Sequence, residues 1–119
     1  MATKSFKDFI VWQRASELSL DVYKSFNGVK DYSFRDQIQR AALSVPNNIA
    51  EGYARRRDKA FRNFLFIAKG SIAEVESMLL IAQKLGYVTN AQQEELINKA
   101  DEVSRLLSGF IKKLSAVDS

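Results

Sequence analysis

The sequence contains no cysteine and no histidine, and these two absences exclude most familiar kinds of active site. Without cysteine there is no disulfide framework and no thiolate metal site, which agrees with a reducing compartment. Without either residue the chain lacks a Ser-His pair, a cysteine nucleophile, a zinc site and the Glu-x-x-His ligands of di-iron bundles. We therefore expect a protein that is not an enzyme, with no catalytic residue, no metal and no cofactor.

Long hydrophobic runs are also absent. The longest apolar runs are five residues, at 64–68 and 78–82, whereas a membrane-spanning helix needs about twenty. The first eight residues, MATKSFKD, lack the apolar segment of a secretory signal. The expected location is the cytosol, with no membrane partner.

Length and composition favour one globular domain over residues 1–119. The chain has 119 residues, of which 46% are hydrophobic and 27% charged, and these are ordinary globular values. No internal repeat, low-complexity tract or linker interrupts it. One hydrophobic core is therefore enough.

Four segments carry apolar residues at helical spacing, which predicts an all-α, antiparallel four-helix bundle. The expected helix starts are a capping box at Ser5 and Asp8, then Ser33, Asp58 and Thr89 or Asn90. In the last two segments the apolar positions step by 4 and 3 residues. These positions are Phe61, Leu65, Ala68, Ile72, Val75, Leu79 and Ala82, followed by Leu96, Ala100, Val103, Leu107, Phe110, Leu114 and Val117. That period favours bundle packing about 20° from antiparallel, and the short connections make successive helices antiparallel.

The second segment contains the only proline, Pro46. The apolar line continues in phase from Val45 to Ile49, which predicts one kinked helix and not two separate helices. Gly52 and Gly70 fall inside helices, where glycine is unfavourable, so we expect neighbouring backbones to approach closely at both.

A second apolar line at heptad spacing predicts a contact between subunits. Phe66, Ala73 and Leu80 lie away from the core line of the third helix, and Ile97 and Ile111 on the fourth would extend their surface. Large exposed apolar patches are unusual on monomers, so another copy or a partner is expected to cover them. The alternative is that these residues merely widen the internal core.

Positive charge is concentrated in the middle of the chain. Residues 30–69 hold nine Lys/Arg against four Asp/Glu, a net charge of +5. Residues 1–29 contribute +1 and residues 70–119 contribute −2, which gives the total of +4. The centre is a cluster that we name the basic turn, formed by Arg55, Arg56, Arg57, Lys59 and Arg62. Guanidinium groups bind phosphate oxygens well, so the cluster is a candidate nucleic-acid contact. The alternative is a solvated turn whose cations interact with the end of the second helix.

A polar line runs beside the core stripe of the second helix, formed by Gln37, Ser44, Asn48, Glu51 and Arg55. Glu51 is the one candidate general base there, but a base also needs a partner and a pocket. We expect these groups instead to satisfy the backbone freed by Pro46 or to line a subunit interface.

Residues 39–52, QRAALSVPNNIAEG, resemble the signature of the 23S rRNA intervening-sequence protein family. Residues 64–76, 85–88 and 11–15 are similar to its third helix, following turn and first helix. The resemblance implies a bacterial four-helix bundle that assembles as a ring-like homo-oligomer, most simply a homopentamer. It also implies a poorly defined role, with some members encoded within insertions in ribosomal RNA genes. A related protein is an accessory to the reverse transcriptase of diversity-generating retroelements, where a basic oligomer associates with nucleic acid.

This chain departs from the resemblance before the third helix. Members often carry a serine and a glutamate where this sequence has Arg57 and Ala60, which makes the turn more basic. The leading interpretation is a homo-oligomeric accessory or scaffold protein that contacts RNA or DNA. The alternative is a protein-interaction module with no nucleic-acid role.

Overall fold

The computed structural model describes residues 5–117, and these residues form four long helices and no strand. After a short 3-10 turn at Phe6–Asp8, the helices are α1 Ile10–Phe26, α2 Tyr32–Ala54, α3 Asp58–Lys84 and α4 Asn90–Val117. This confirms the all-α, four-helix prediction, and α2 continues through Pro46 without interruption. The bend at Pro46 and the antiparallel course of the helices stay predictions.

All four helices contribute to one hydrophobic core. The whole predicted apolar line of α3, from Phe61 to Ala82, is buried, and so are Leu96 to Leu107 and Leu114 of the line in α4. Phe110 packs half-buried against them, and the side chain of Val117 lies outside the described ones. In residues 5–117 each helix packs against the next and α1 packs against α4, whereas no Cα atoms of the diagonal pairs lie within 8 Å of each other. None of these helices is long and apolar enough to cross a bilayer.

Two of the predicted helix starts are wrong by one or two residues. Asp31, and not Ser33, caps α2 by accepting a hydrogen bond from the Phe34 amide at 3.2 Å. The same carboxylate accepts a 2.7 Å bond from the Tyr87 hydroxyl, which ties the α1–α2 turn to the α3–α4 turn and lowers the pKa of Asp31. Asp58 does not cap α3 but is its first residue, after Arg57.

The other two starts follow the predicted chemistry. The capping box of Ser5 and Asp8 is present, although it closes the 3-10 turn and α1 itself begins at Ile10. Before α4, the Thr89 backbone amide donates to the side-chain oxygen of Gln92 at 2.8 Å. The Gln92 backbone amide donates to the Thr89 hydroxyl oxygen at 3.0 Å. Such reciprocal bonds satisfy two of the free amides at a helix start.

Gly52 and Gly70, the two helical glycines for which a close approach is predicted, have different surroundings. A Cβ on Gly52 would lie 2.6 Å from the Cβ of Phe64 and 3.0 Å from Cδ1 of Phe61, so α2 and α3 approach closely there, as predicted. At Gly70 an added Cβ would meet nothing within 4 Å. The close approach predicted at Gly70 is therefore wrong within a single chain.

The carbonyl freed by Pro46 is satisfied from another helix. Proline has no amide hydrogen, so the Ala42 carbonyl loses its helical donor. The buried Ser19 hydroxyl on α1 lies 2.8 Å from that oxygen and 3.0 Å from the Ala15 carbonyl. The polar line of α2 therefore does not perform this role, and Asn48 in that line bonds the Ser44 carbonyl at 2.7 Å instead. The alternative, that this line borders a subunit interface, stays a prediction.

Candidate nucleic-acid and assembly surfaces

The basic turn connects α2 to α3 through three consecutive arginines with three backbone conformations. Arg55 is right-handed helical, Arg56 is left-handed at φ 59°, and Arg57 is extended at φ −135°. The left-handed region is unfavourable for a residue with a Cβ and is where glycine usually ends a helix. A non-glycine residue therefore occupies a strained position in the middle of the predicted site.

Arg55 is directed back onto its own helix. Its guanidinium pairs with the carboxylate of Glu51 at 3.1 Å and lies 5.1 Å from the ring centre of Phe64. The ion pair offsets one positive charge of the basic turn. Arg55 is accordingly a weaker phosphate ligand than its position in the sequence suggests.

Arg56, Arg57 and Lys59 are exposed and line one shallow depression of about 640 Å³ at the start of α3. Asp58, Ala60 and Asn63 complete its lining, so the depression combines three cations with one carboxylate. Arg62, one turn further along α3, is half-buried and does not line this depression. The structure therefore brings three of the five predicted cations together and leaves Arg55 and Arg62 beside them.

The start of α3 adds backbone donors to the depression. No side chain caps this helix at Arg57, so first-turn amides are left without an intrahelical or side-chain acceptor. Such amides, with the positive end of the helix dipole, attract anions. The local chemistry still suits a phosphate oxygen, because three cations and the open amides outweigh the single carboxylate of Asp58.

Glu51, the one sequence-predicted candidate for a general base, does not form a catalytic arrangement. Its side chain is 56% exposed, and it is held by Arg55.

A pair of acidic residues that was not predicted from the sequence lies between α3 and α4. Burial raises the pKa of Glu76 on α3, and the charge of Asp101 on α4 raises it further. The two residues are brought together by the way α3 and α4 are aligned along each other, which the sequence pattern of either helix does not reveal. Within residues 5–117 no three acidic side chains cluster in a way that could hold a metal ion.

We expect Glu76→Gln to make the folded protein more stable at pH 7. Because the pKa of Glu76 is raised in the folded state, its stabilising effect is complete below the ordinary value of 4.5 and is lost as the pH rises through the folded value. The neutral amide of glutamine does not ionise, so the variant avoids this loss of stability at pH 7. The free energy of unfolding should rise by less than about 1 kcal/mol, because the Glu76–Asp101 pair is partly solvated. Urea unfolding at pH 4.5 and 7 measures the change.

The exposed Glu94 on α4 provides the control. Glu94→Gln removes the same charge away from Asp101 and should leave the stability difference between the two pH values unchanged. Equal effects of the two substitutions would contradict a specific repulsion between Glu76 and Asp101.

The outer side of α3 carries exposed apolar residues. Phe66 is 55% and Leu80 51% exposed, and Ala73 between them is also exposed. These side chains do not widen the internal core. The predicted extension onto α4 is wrong, because Ile111 is buried in the core and Ile97 packs partly against it.

Comparisons with known proteins agree with this architecture. The family model described as "23S rRNA-intervening sequence protein" matches residues 7–109. The chain is also similar to a solved structure, a protein with unknown function from the S23 ribosomal protein family of Bacteroides thetaiotaomicron VPI-5482. That similarity has a TM-score of 0.81 and 29% identity, and it covers 87% of this chain and 99% of the other. No curated protein matches the chain.

Proposed function

The chain belongs to the 23S rRNA-intervening sequence protein family, and on that basis we propose that it is a non-enzymatic, homo-oligomeric accessory or scaffold protein that contacts RNA or DNA through phosphates. The observation that carries this proposal is the convergence of Arg56, Arg57 and Lys59 on the uncapped start of α3. Neither the family description nor that of the similar structure names an enzymatic activity. The proposal places the protein in the cytosol, with nucleic acid and itself as partners.

Phosphate contact without base specificity is the mode that the neighbouring aromatic residues favour. Tyr53 and Phe61 lie next to the basic turn, but their rings pack against each other at 5.8 Å, and both pack against Phe9. They are therefore not free to stack on bases, as single-strand binding surfaces require. Phosphate contacts fix the position of a nucleic acid and carry no sequence code, so binding should be weakly selective.

Self-association through Phe66, Ala73 and Leu80 is the second part of the proposal. An assembly would cover these exposed residues and repeat the basic turn once per subunit. One basic turn with three converging cations should bind a nucleic acid only weakly. Several copies in one assembly raise the effective concentration of phosphate contacts and so strengthen the binding. Five subunits is the number that the family resemblance implies.

We expect Arg56→Glu, Arg57→Glu and Lys59→Glu together to weaken binding of a mixed-sequence RNA or DNA at least about tenfold at low salt. Arg55 is left unchanged because its reversal would place two carboxylates together at Glu51. The salt dependence of the remaining binding should also become shallower, because fewer counterions are released. Fluorescence anisotropy at two salt concentrations measures both effects, after circular dichroism and light scattering confirm the fold and the assembly.

The matched control changes the same net charge elsewhere. Lys24, Lys30 and Lys84 are exposed cations near the α1–α2 and α3–α4 turns, at the far ends of α2 and α3 from the basic turn, and reversing all three should weaken binding far less. Equal losses in the two triple variants would mean that net charge alone attracts the nucleic acid. If the parent shows no salt-sensitive binding, the protein-interaction module takes the place of this proposal.

A further inference from the structure

An uncharged groove of about 420 Å³ lies on the outer side of α1 and α2, away from the basic turn. Leu20 on its wall is 60% exposed, and Tyr23 and Leu43 are each 39% exposed. Trp12 and Pro46 also line it, and none of its lining residues carries a charge. Apolar side chains exposed together in a concave site are typical of a binding surface.

The outer side of α3 presents a second exposed, uncharged surface, which we name the α3 ridge. It consists of five exposed residues that step by 4, 3, 4 and 3 positions: Phe66, Gly70, Ala73, Ser77 and Leu80. These residues are uncharged, and the three in the middle are small, so another backbone can approach closely between the two large ends. An added Cβ on Gly70 would meet nothing within 4 Å, so the space over this glycine is open to the backbone of a neighbouring copy.

The two surfaces cannot cover each other within one molecule. α1 and α3 lie diagonally across the bundle, and within residues 5–117 none of their Cα atoms lie within 8 Å of each other. A symmetric pairing of two ridges would leave Leu20 and Tyr23 in water, whereas a ridge placed in the groove of another copy covers both surfaces at once. Neither surface offers a cation to a nucleic acid or an ion partner to a charged protein.

We propose that the α3 ridge of one copy docks into the α1–α2 groove of a second copy, head to tail. This inference rests on the proposed homo-oligomer and names the surface that the ridge meets. A head-to-tail contact leaves one ridge and one groove open on every pair, so further copies add until the assembly closes or continues.

Complementary loss of the two surfaces tests the pairing. Leu80→Glu places a charge on the ridge, and Ala73→Arg is a second ridge variant. Leu20→Glu places a charge in the groove. Each should weaken self-association roughly a hundredfold or more, because an unpaired charge would be buried in an apolar contact. Mixing the ridge variant with the groove variant should restore pairs of chains and nothing larger, since only one intact ridge and one intact groove remain between them. Light scattering and analytical ultracentrifugation measure the masses.

Ile10→Glu is the matched control, since Ile10 is an exposed aliphatic residue on neither surface. It should assemble as the parent does, and a loss there would overturn the inference by showing a non-specific effect of added charge. If Leu20→Glu assembles normally, or the mixed variants stay separate, the ridge does not meet the groove, although the homo-oligomer itself stands. A monomeric parent at micromolar concentration would overturn both.

Discussion

Gly52→Ala is expected to lower the free energy of unfolding by about 1 to 3 kcal/mol, the usual range for forcing a methyl group into a packed core. Elsewhere in a helix the same change stabilises by up to about 1 kcal/mol, because alanine is the better helix former. At Gly52 the new Cβ would lie 2.6 Å from the Cβ of Phe64. A Cβ cannot rotate away as the end of a flexible side chain can, so α2 and α3 must separate.

Thermal and urea unfolding measure this effect, and Gly109→Ala on α4 is the matched control. A Cβ on Gly109 meets nothing within 4 Å, so that variant should equal or exceed the parent in stability. The two substitutions add the same methyl group to the same kind of residue. If Gly52→Ala is as stable as Gly109→Ala, the α2–α3 contact is looser than the structure has it.

The long helices were predictable because their apolar patterns repeat over many turns. In α3 seven core positions agree with one period, and all seven are buried. Helix starts depend on one or two local bonds, and several side chains compete for them. Ser33 satisfied the local cap pattern, but Asp31 makes the cap because it bonds both the Phe34 amide and the distant Tyr87 hydroxyl.

The basic turn was predictable as a cluster but not as an arrangement. Sequence proximity placed five cations together, yet the turn directs Arg55 to Glu51 and gives Arg56 a left-handed backbone. The groove was not predicted, since it combines exposed residues of α1 and α2 that no single periodic line contains. Surfaces formed between helices need the register of the pair, which one-dimensional patterns do not supply.

Ser19→Ala should lower the free energy of unfolding by about 1 to 3 kcal/mol, the cost of leaving a buried hydrogen-bonding group without its partner. Ser19 is 3% exposed, and its hydroxyl is the donor at 2.8 Å to the Ala42 carbonyl. Pro46 has no amide hydrogen to replace it. The half-buried Ser16, one turn earlier on α1, is the control, and Ser16→Ala should cost much less.

A double-mutant cycle with Pro46→Ala separates this role from simple loss of packing. Alanine at position 46 restores an amide that can bond the Ala42 carbonyl along the helix, so the carbonyl no longer depends on α1. Ser19→Ala should then cost roughly 1 kcal/mol less in the Pro46→Ala background than in the parent, a coupling of the size found between directly interacting groups. The Ser19 hydroxyl has one hydrogen within reach of both the Ala42 and the Ala15 carbonyls, so in the Pro46→Ala background it can turn fully to Ala15. The coupling therefore measures how far the Ala42 carbonyl depends on Ser19. Urea unfolding of the four proteins gives the coupling, and equal costs in the two backgrounds would contradict it. A measured coupling would mean that α2 tolerates Pro46 because the Ser19 hydroxyl, 23 positions before Ala42 in the sequence, bonds the free Ala42 carbonyl.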